Sequence, residues 1–355
     1  HSLCYKKLNM SKKDLSVLKL KKINLNKKTS LILYNFRSYL DKFIKKKTFL
    51  IAVSGGPDSL ALTALSKIYS DEKKNKVFFV LIDHGIRSNS SKEAKSVKSL
   101  LKKKKINLTI LKNKLKINKN IQSQAREIRY KLLLNFCNKH KVKFILTGHH
   151  RDDQIETFLI RLSRGSGVQG LSSMKKKSNL NKQTKLIRPL LDEKKQHLTV
   201  LAKQYFGKVF KDPSNINQKY LRTKIRSLIK QFEKSGIKHE SIISSINHLG
   251  ATRDTLNTYI SRTEKTCIKK KEKKIIINLN KFLLENEEIQ LKIFSNCIKN
   301  ISKKYYPPRA KKVLSLLDKL KPLENSKVTL GGCIIEKIQN KLVICKEELK
   351  KGLKI

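Results

Sequence analysis

Phe49-Leu50-Ile51-Ala52-Val53-Ser54-Gly55-Gly56-Pro57-Asp58-Ser59 is the stretch on which the reading of the fold turns. Five apolar residues run into a Ser-Gly-Gly-Pro turn, and Leu60–Tyr69 follows with apolar residues at helical spacing. The same alternation continues outward. Val77–Asp83 (VFFVLID) is a continuous apolar run, as a strand buried on both faces requires. Ser91–Lys105 reads as a Lys-rich helix, Leu108–Leu111 as a strand and Asn120–Lys139 as a longer helix. Phe144–Thr147 reads as a strand and Asp152–Ser163 as a helix. Strands alternating with helices predict an α/β fold with a doubly wound, mostly parallel sheet. Ligands of such sheets sit beyond the carboxyl ends of the strands, so the chemistry is expected in the loops after residues 53, 83 and 147.

After about residue 190 the pattern changes. Residues 194–265 read as mostly helical with a turn at 211–215, Lys274–Asn280 as a strand and 285–303 as a helix. Pro307-Pro308 breaks the chain, 309–320 is an amphipathic helix, and 328–348 reads as two strands about a Gln-Asn turn. At roughly 150 residues per domain, 355 residues predict two domains and a small third unit.

The balance of 82 Lys+Arg against 27 Asp+Glu gives a net charge of +55, which excludes an acidic or neutral metabolic enzyme and points to a polyanionic partner. Heavy use of Lys, Asn and Ile is also the mark of an AT-rich genome, so part of the excess is a solvated surface. No uncharged apolar run approaches the ~18 residues of a spanning helix, so no membrane is expected. The first residues have no apolar signal-peptide core, and Met10 is a candidate initiator. The six cysteines include no C-x-x-C pair, which predicts free thiols and a cytoplasmic location.

The six residues 54–59 carry the strongest chemical signal. Two glycines let backbone approach an anion closely, the Ser54 and Ser59 hydroxyls and the helix-start N–H groups can cradle phosphate oxygens, and Asp58 can hold a magnesium ion. The alternative is an ordinary strand-to-helix turn capped by Ser and Asp. No G-x-x-x-x-G-K-[ST] occurs, so this is not a Walker A loop. Gly165-Ser166-Gly167-Val168-Gln169-Gly170 follows a helix, not a strand, and reads as a Gly-rich substrate loop instead of a dinucleotide site. His149, His150, Asp152 and Asp153 are too close along one loop to converge as a transition-metal site. Asp153 and Glu156 share a helix face and can hold an ammonium ion; helix-dipole acids are the alternative, and Asp152 fits that role. Lys102–Lys105 reads as a solvated helix end, with RNA contact the alternative.

The loop SGGPDS resembles the pyrophosphate-binding SGGxDS loop of the N-type ATP pyrophosphatases, which adenylylate a substrate. Further motifs narrow the resemblance: Ile82-Asp83-His84-Gly85-Ile86-Arg87; Gly148-His149-His150-Arg151-Asp152-Asp153-Gln154-Ile155-Glu156-Thr157; Arg161–Gly167; Ile187-Arg188-Pro189-Leu190; and Asp212-Pro213-Ser214-Asn215 with Tyr220, Arg222 and Arg226. In order and spacing the series resembles the tRNA(Ile)-lysidine synthetase family over about residues 48–226, with Thr223 where the family usually has Asn. The resemblance implies an adenine nucleotide alpha hydrolase-like fold. A basic extension (1–30) and a catalytic domain (31–232) precede a helical tRNA-binding domain (233–305) and a small C-terminal α+β segment (306–355).

It also implies a ligase with ATP and Mg²⁺ as cofactors, L-lysine and a CAU-anticodon isoleucine tRNA as partners, and a homodimer as one compatible assembly. Lysine would be joined to C2 of the wobble cytidine through an adenylated cytidine. The nucleotide would contact Ser54, Gly55, Gly56, Pro57, Asp58, Ser59, His84 and Arg87. Asp58, Arg126, Asp153 and Glu156 would be catalytic, with Asp58 the metal ligand. His150, Asp153, Glu156, Arg164, Arg222 and Arg226 would bind substrate. Three rivals are set against this. A tRNA thiolase usually needs paired cysteines, a GMP synthetase needs a glutaminase module for which there is no room, and a plain basic RNA-binding protein has no need of SGGPDS.

Overall fold

The computed structural model describes residues 27–86, 89–113, 115, 121–210, 221–303, 308–320 and 325–347. They form two compact units, which meet in sequence between His248 and Leu249.

The first unit is built on a six-stranded sheet: β1 (Phe49–Val53), β2 (Val77–Asp83), β3 (Leu108–Lys112), β4 (Phe144–Leu146), β5 (Lys177–Asn179) and β6 (Lys185–Ile187). Its order is β3-β2-β1-β4-β6-β5, parallel throughout except for the antiparallel β5–β6 pair. The helices are α1 (Lys27–Asp41), α2 (Pro57–Lys73), α3 (Ser90–Lys102), α4 (Ile121–Lys139), α5 (Arg151–Leu162), the single turn α6 (Val168–Leu171), α7 (Lys195–Phe206) and α8 (Leu221–Lys234). In β1, Phe49, Ile51 and Val53 face the core shared with α1, α2, α3 and α7. Leu50 faces the opposite core with Leu133 and Cys137 of α4. Helices therefore cover both faces, as the continuous apolar strands require.

Helix α2 is the most enclosed of these. Ser59–Ser66 is buried on every side, and the Ala, Ser and Thr among those residues let it lie between the sheet and α7. Its start is set by Gly56 in an extended conformation and Pro57 at the first helical position. The sheet order reverses between β1 and β4, which opens the crevice beyond their carboxyl ends. Backbone meets backbone there: a Cβ on Gly148 would lie 2.8 Å from the Asp58 carbonyl oxygen. Only glycine allows this approach.

The strands expected at 49–53, 77–83, 108–111 and 144–147 are all present within a residue. β5 and β6 have no sequence signal, because three-residue strands are too short to show a period. Residues 211–220, with the expected turn at 211–215, lie outside the described residues.

In the second unit, the long helix α9 (His239–Cys267) begins before the boundary and runs into β7 (Ile268–Lys270). β8 (Lys274–Asn278), α10 (Leu279–Leu283), α11 (Glu287–Ser302), α12 (Ala310–Leu320), β9 (Asn325–Leu330), β10 (Cys333–Ile338) and β11 (Lys341–Lys346) follow. The strands form one antiparallel sheet in the order β7-β8-β11-β10-β9 over a core of α11 and α12 residues. Where the apolar pattern predicts one strand over 328–338, the structure has two, because Gly331 and Gly332, both at positive φ (68° and 84°), turn the chain back. The Gln339-Asn340 turn lies where expected.

Candidate active site

The loop after β1 starts from backbone dictated by its glycines. Gly55 has φ +84°, and a Cβ there would meet Val97 Cγ2 at 2.6 Å. The Ser59 hydroxyl accepts from the Ser54 N–H (3.1 Å), lies 3.1 Å from the Ser54 hydroxyl and donates to the Gly56 carbonyl (3.0 Å), which fixes the turn. No side chain caps the start of α2, so the amide groups at its first turn point into the crevice with the positive end of the helix dipole behind them. That is a cradle for phosphate oxygens.

The loop after β4 supplies the opposite wall. His150 is buried, and its Nε2 lies 3.4 Å from Asp58 Oδ2 and 3.5 Å from Asp153 Oδ2. Asp153 Oδ2 also accepts the backbone N–H of His150 (3.1 Å). Burial works against the charged imidazole, but the Asp58 carboxylate and the charges of Asp153 and Asp152 outweigh it and hold His150 above its ordinary pKa. Burial likewise pushes the Asp153 carboxyl up, yet His150, His149 and Arg222 hold it below the usual range. One imidazole, whose charged form these carboxylates favour, thus joins the phosphate loop to the acidic start of α5.

Glu156, one turn further on, is 3% exposed. Both its oxygens are taken: Arg226 Nε donates to Oε1 at 2.5 Å and Nη2 to Oε2 at 3.4 Å, while Arg222 Nε lies 3.5 Å from Oε2. These arginines come from α8, which packs on α5 through Ile155, Leu159, Ile225 and Ile229.

At the end of β2, the Asp83 carboxylate accepts from the Gly85 N–H (3.1 Å) and the Ser91 hydroxyl (2.5 Å), folding the turn that carries His84. Burial pushes His84 down to about 4, with Arg129 adding to the effect, so its imidazole is neutral. His149 is pushed down to about 3, again chiefly by burial. Several buried polar atoms at this edge have no protein partner: Asp58 Oδ1, His150 Nδ1 and both ring nitrogens of His84. Buried polar atoms are normally satisfied, so a group of them beside the phosphate cradle fits a place where a ligand or water supplies the missing partners. A lone carboxylate oxygen beside a phosphate cradle suits Mg²⁺, which takes one or two protein oxygens and fills its shell with water and phosphate. Among the described residues, no three His, Cys, Asp or Glu side chains form a metal-ligand group.

The structure therefore brings together Ser54, Gly55, Gly56, Pro57, Asp58, Ser59, His150 and Asp153, with Glu156, Arg222 and Arg226 in the adjoining cluster. Arg126 is exposed on α4, stacks on Tyr130 at 5.1 Å and lies close enough for its charge to act on His149. Arg164 is exposed beyond the far end of α5, about 16 Å along the helix from Asp153. Arg87, Tyr220 and residues 212–215 lie outside the described residues. Two residues of the site carry no individual weight in the sequence reading. Gly148 enters it only within its motif, and the buried Arg188 donates to the Lys175 carbonyl (2.7 Å). A glycine directly after a strand is the available signal for the first.

A family model described as a PP-loop domain matches residues 28–232. The tRNA(Ile)-lysidine synthase of Wolbachia pipientis wMel is 38% identical over 304 residues, 84% of this chain and 70% of that protein. The chain belongs to the tRNA(Ile)-lysidine synthase family. Another tRNA(Ile)-lysidine synthase, from Orientia tsutsugamushi (strain Boryong), is 34% identical over 315 residues, 86% of this chain and 71% of that one. Among solved structures, a U34-tRNA thiolase NcsA from Methanococcus maripaludis, with its [4Fe-4S] cluster, aligns with a TM-score of 0.54 at 20% identity, covering 63% of this chain and 79% of that one. That likeness is one of fold, and it agrees with the parallel sheet of a tRNA(Ile)-lysidine synthase PP-loop domain. No described helix of this family member is long and apolar enough to cross a membrane.

Proposed function

We propose that the chain joins L-lysine to C2 of the wobble cytidine of a CAU-anticodon isoleucine tRNA in two steps. In the first, the cytidine O2 attacks the α-phosphate of ATP, pyrophosphate leaves and the base carries AMP. In the second, the lysine ε-amine attacks C2 and AMP departs. The observation that carries this reading is the Asp58–His150–Asp153 contact, which couples a phosphate cradle to a carboxylate site at the same crevice.

The loop 54–59 and the α2 amides hold the departing pyrophosphate, donating to oxygens whose charge grows as the bond breaks. Bound Mg²⁺, held by Asp58, would supply further stabilisation of that charge. His150 stands between Asp58 and Asp153, and when protonated it screens the two carboxylates from each other and brings a positive charge to the crevice. Lysine carries both an ammonium and a carboxylate. Asp153 attracts the first, and the exposed Arg222, held beside Glu156, answers the second. At pH 7 only about one ε-amine in two thousand is neutral, so a carboxylate that accepts its proton aids attack. Both oxygens of Glu156 are engaged by arginines, which makes Asp153 the stronger candidate for that role. Arg126 and Arg226 complete the positive surround, and basic residues between 190 and 320 contact the tRNA. The catalytic work is assigned to residues 31–232 and tRNA binding to the segments beyond.

The first-step test is pyrophosphate release from ATP with and without unmodified CAU tRNA. Release that requires the tRNA supports adenylylation of the base. Release indifferent to tRNA contradicts it.

A further inference from the structure

The amino edge of the parallel sheet carries a feature that the nucleotide crevice does not use. Each of the four turns leading into β1, β2, β3 and β4 holds a lysine in the left-handed backbone region: Lys45 (φ 40°), Lys74 (φ 52°), Lys105 (φ 57°) and Lys141 (φ 55°). All four are exposed. These strands are parallel neighbours in the order β3-β2-β1-β4, so the turns line one edge at about 4.8 Å per strand. Residues 42–48, 73–76, 102–107 and 139–143 around them are rich in lysine and contain no aspartate or glutamate; the flanking acids Asp41, Asp71 and Glu72 pair with Lys73, Lys67 and Arg37. Lys47 Nζ stands 5.6 Å over the Phe144 ring and Lys76 Nζ 5.3 Å over the Phe78 ring, which holds further ammonium groups at this edge.

The lysine-rich composition contributes to this pattern, since Lys303 of the second unit is left-handed as well, but at this edge the sheet order sets four such turns side by side. Left-handed backbone favours glycine first and asparagine next. Asparagine is much less common in this chain than lysine, although it fits that backbone better. Lysine at all four turns places four exposed ammonium groups along one edge of the sheet. The polyanion that suits it is RNA. None of the exposed large hydrophobic side chains falls in these four turns, so the edge lacks the apolar anchor of a membrane-binding surface. A phosphate backbone needs none.

We propose that this amino edge is a second RNA-binding surface, taking the phosphates of a double-helical arm of the same tRNA whose anticodon loop reaches the carboxyl edge. The inference rests on the tRNA reading above. Strands of five to seven residues separate the two edges by roughly 20 Å, so phosphates held here are distinct from those at the nucleotide loop.

The test replaces Lys45, Lys74, Lys105 and Lys141 together by Asn, which suits the left-handed backbone and keeps the melting temperature. A matched variant replaces Lys95, Lys98, Lys131 and Lys203, exposed within helices, by Gln for the same change of charge. Binding of full-length CAU tRNA and of its isolated anticodon stem-loop is measured across a salt series. The Asn variant should bind tRNA about tenfold or more weakly, with a log–log salt slope shallower by roughly 0.9 for each phosphate it no longer neutralises. Its stem-loop affinity should stay near wild type, and the Gln variant should bind tRNA nearly as tightly as wild type. Unchanged tRNA affinity and slope, equal weakening in both variants, or equal weakening for the stem-loop would each overturn the proposal. Failure of the lysine-transfer reading shows differently, as wild-type protein that binds tRNA and incorporates no lysine.

Discussion

His150 touches both carboxylates that matter most, and its protonation is the residue-level property on which the site turns. Its folded-state pKa is raised, so the stability it contributes is fully present below the unfolded value of about 6.5 and is lost as pH rises through the folded value. The stability difference between wild type and His150→Gln in urea unfolding should therefore be larger near about pH 6 than near about pH 9; a constant difference would contradict the imidazolium. His84 works with the opposite sign. Its imidazole stays neutral down to about 4, so the unfolded chain binds a proton that the folded chain does not, and stability falls as pH drops from the unfolded value towards 4. His84→Gln should flatten that acid limb. Asp153→Asn should leave tRNA-dependent pyrophosphate release standing while lysine transfer falls by about 10²-fold or more, the scale of a missing general base. The spacing of Asp153 and Glu156 is legible in the sequence because residues three apart share a helix face. What fills Glu156 is not, since Arg226 lies 70 residues away and only the packing of α5 on α8 brings it there.

Elements hold these side chains in place, and two close approaches show how little tolerance they have. Gly148 lets the β4 turn meet the start of α2 at a separation where a Cβ would strike the Asp58 carbonyl. Gly148→Ala should displace that turn, cut pyrophosphate release and destabilise the fold by about 1–3 kcal/mol in denaturant unfolding, the usual cost of overpacking. Wild-type release in this variant would mean that the close approach is incidental. The α5–α8 seam is the second. Glu156→Ala removes the buried carboxylate that Arg226 and Arg222 share and should cost about 2 kcal/mol, less than the 3–5 kcal/mol of a fully enclosed pair because Arg226 keeps some access to water. The elements that position the nucleotide are readable from the chain for a physical reason: a strand buried on both faces must be a continuous apolar run, and a phosphate loop must be small and flexible in φ. β5, β6 and the division of β9 from β10 are not readable. The first two are too short to carry a period, and the last depends on a Gly-Gly turn inside an apolar stretch.

Across the whole molecule, the positive charge has two parts with different consequences. The crevice arginines pair with carboxylates, so they tune the site. The lysines of the amino-edge turns and most of those in the second unit face solvent, and exposed charges of that kind govern RNA association and its salt dependence. Composition alone announces a polyanion but not its kind, whereas the SGGPDS loop and the motifs after β2 and β4 announce adenylyl chemistry. Together they amount to one claim: the crevice adenylylates a tRNA base and hands it to lysine. That claim is tested most directly by supplying the protein with ATP, Mg²⁺, radiolabelled lysine and unmodified CAU-anticodon isoleucine tRNA, with Asp58→Ala as the control, and counting label in acid-precipitable RNA. The account predicts incorporation that requires ATP and is lost in the control. Release of pyrophosphate without incorporation of lysine, or incorporation that survives Asp58→Ala, would contradict it.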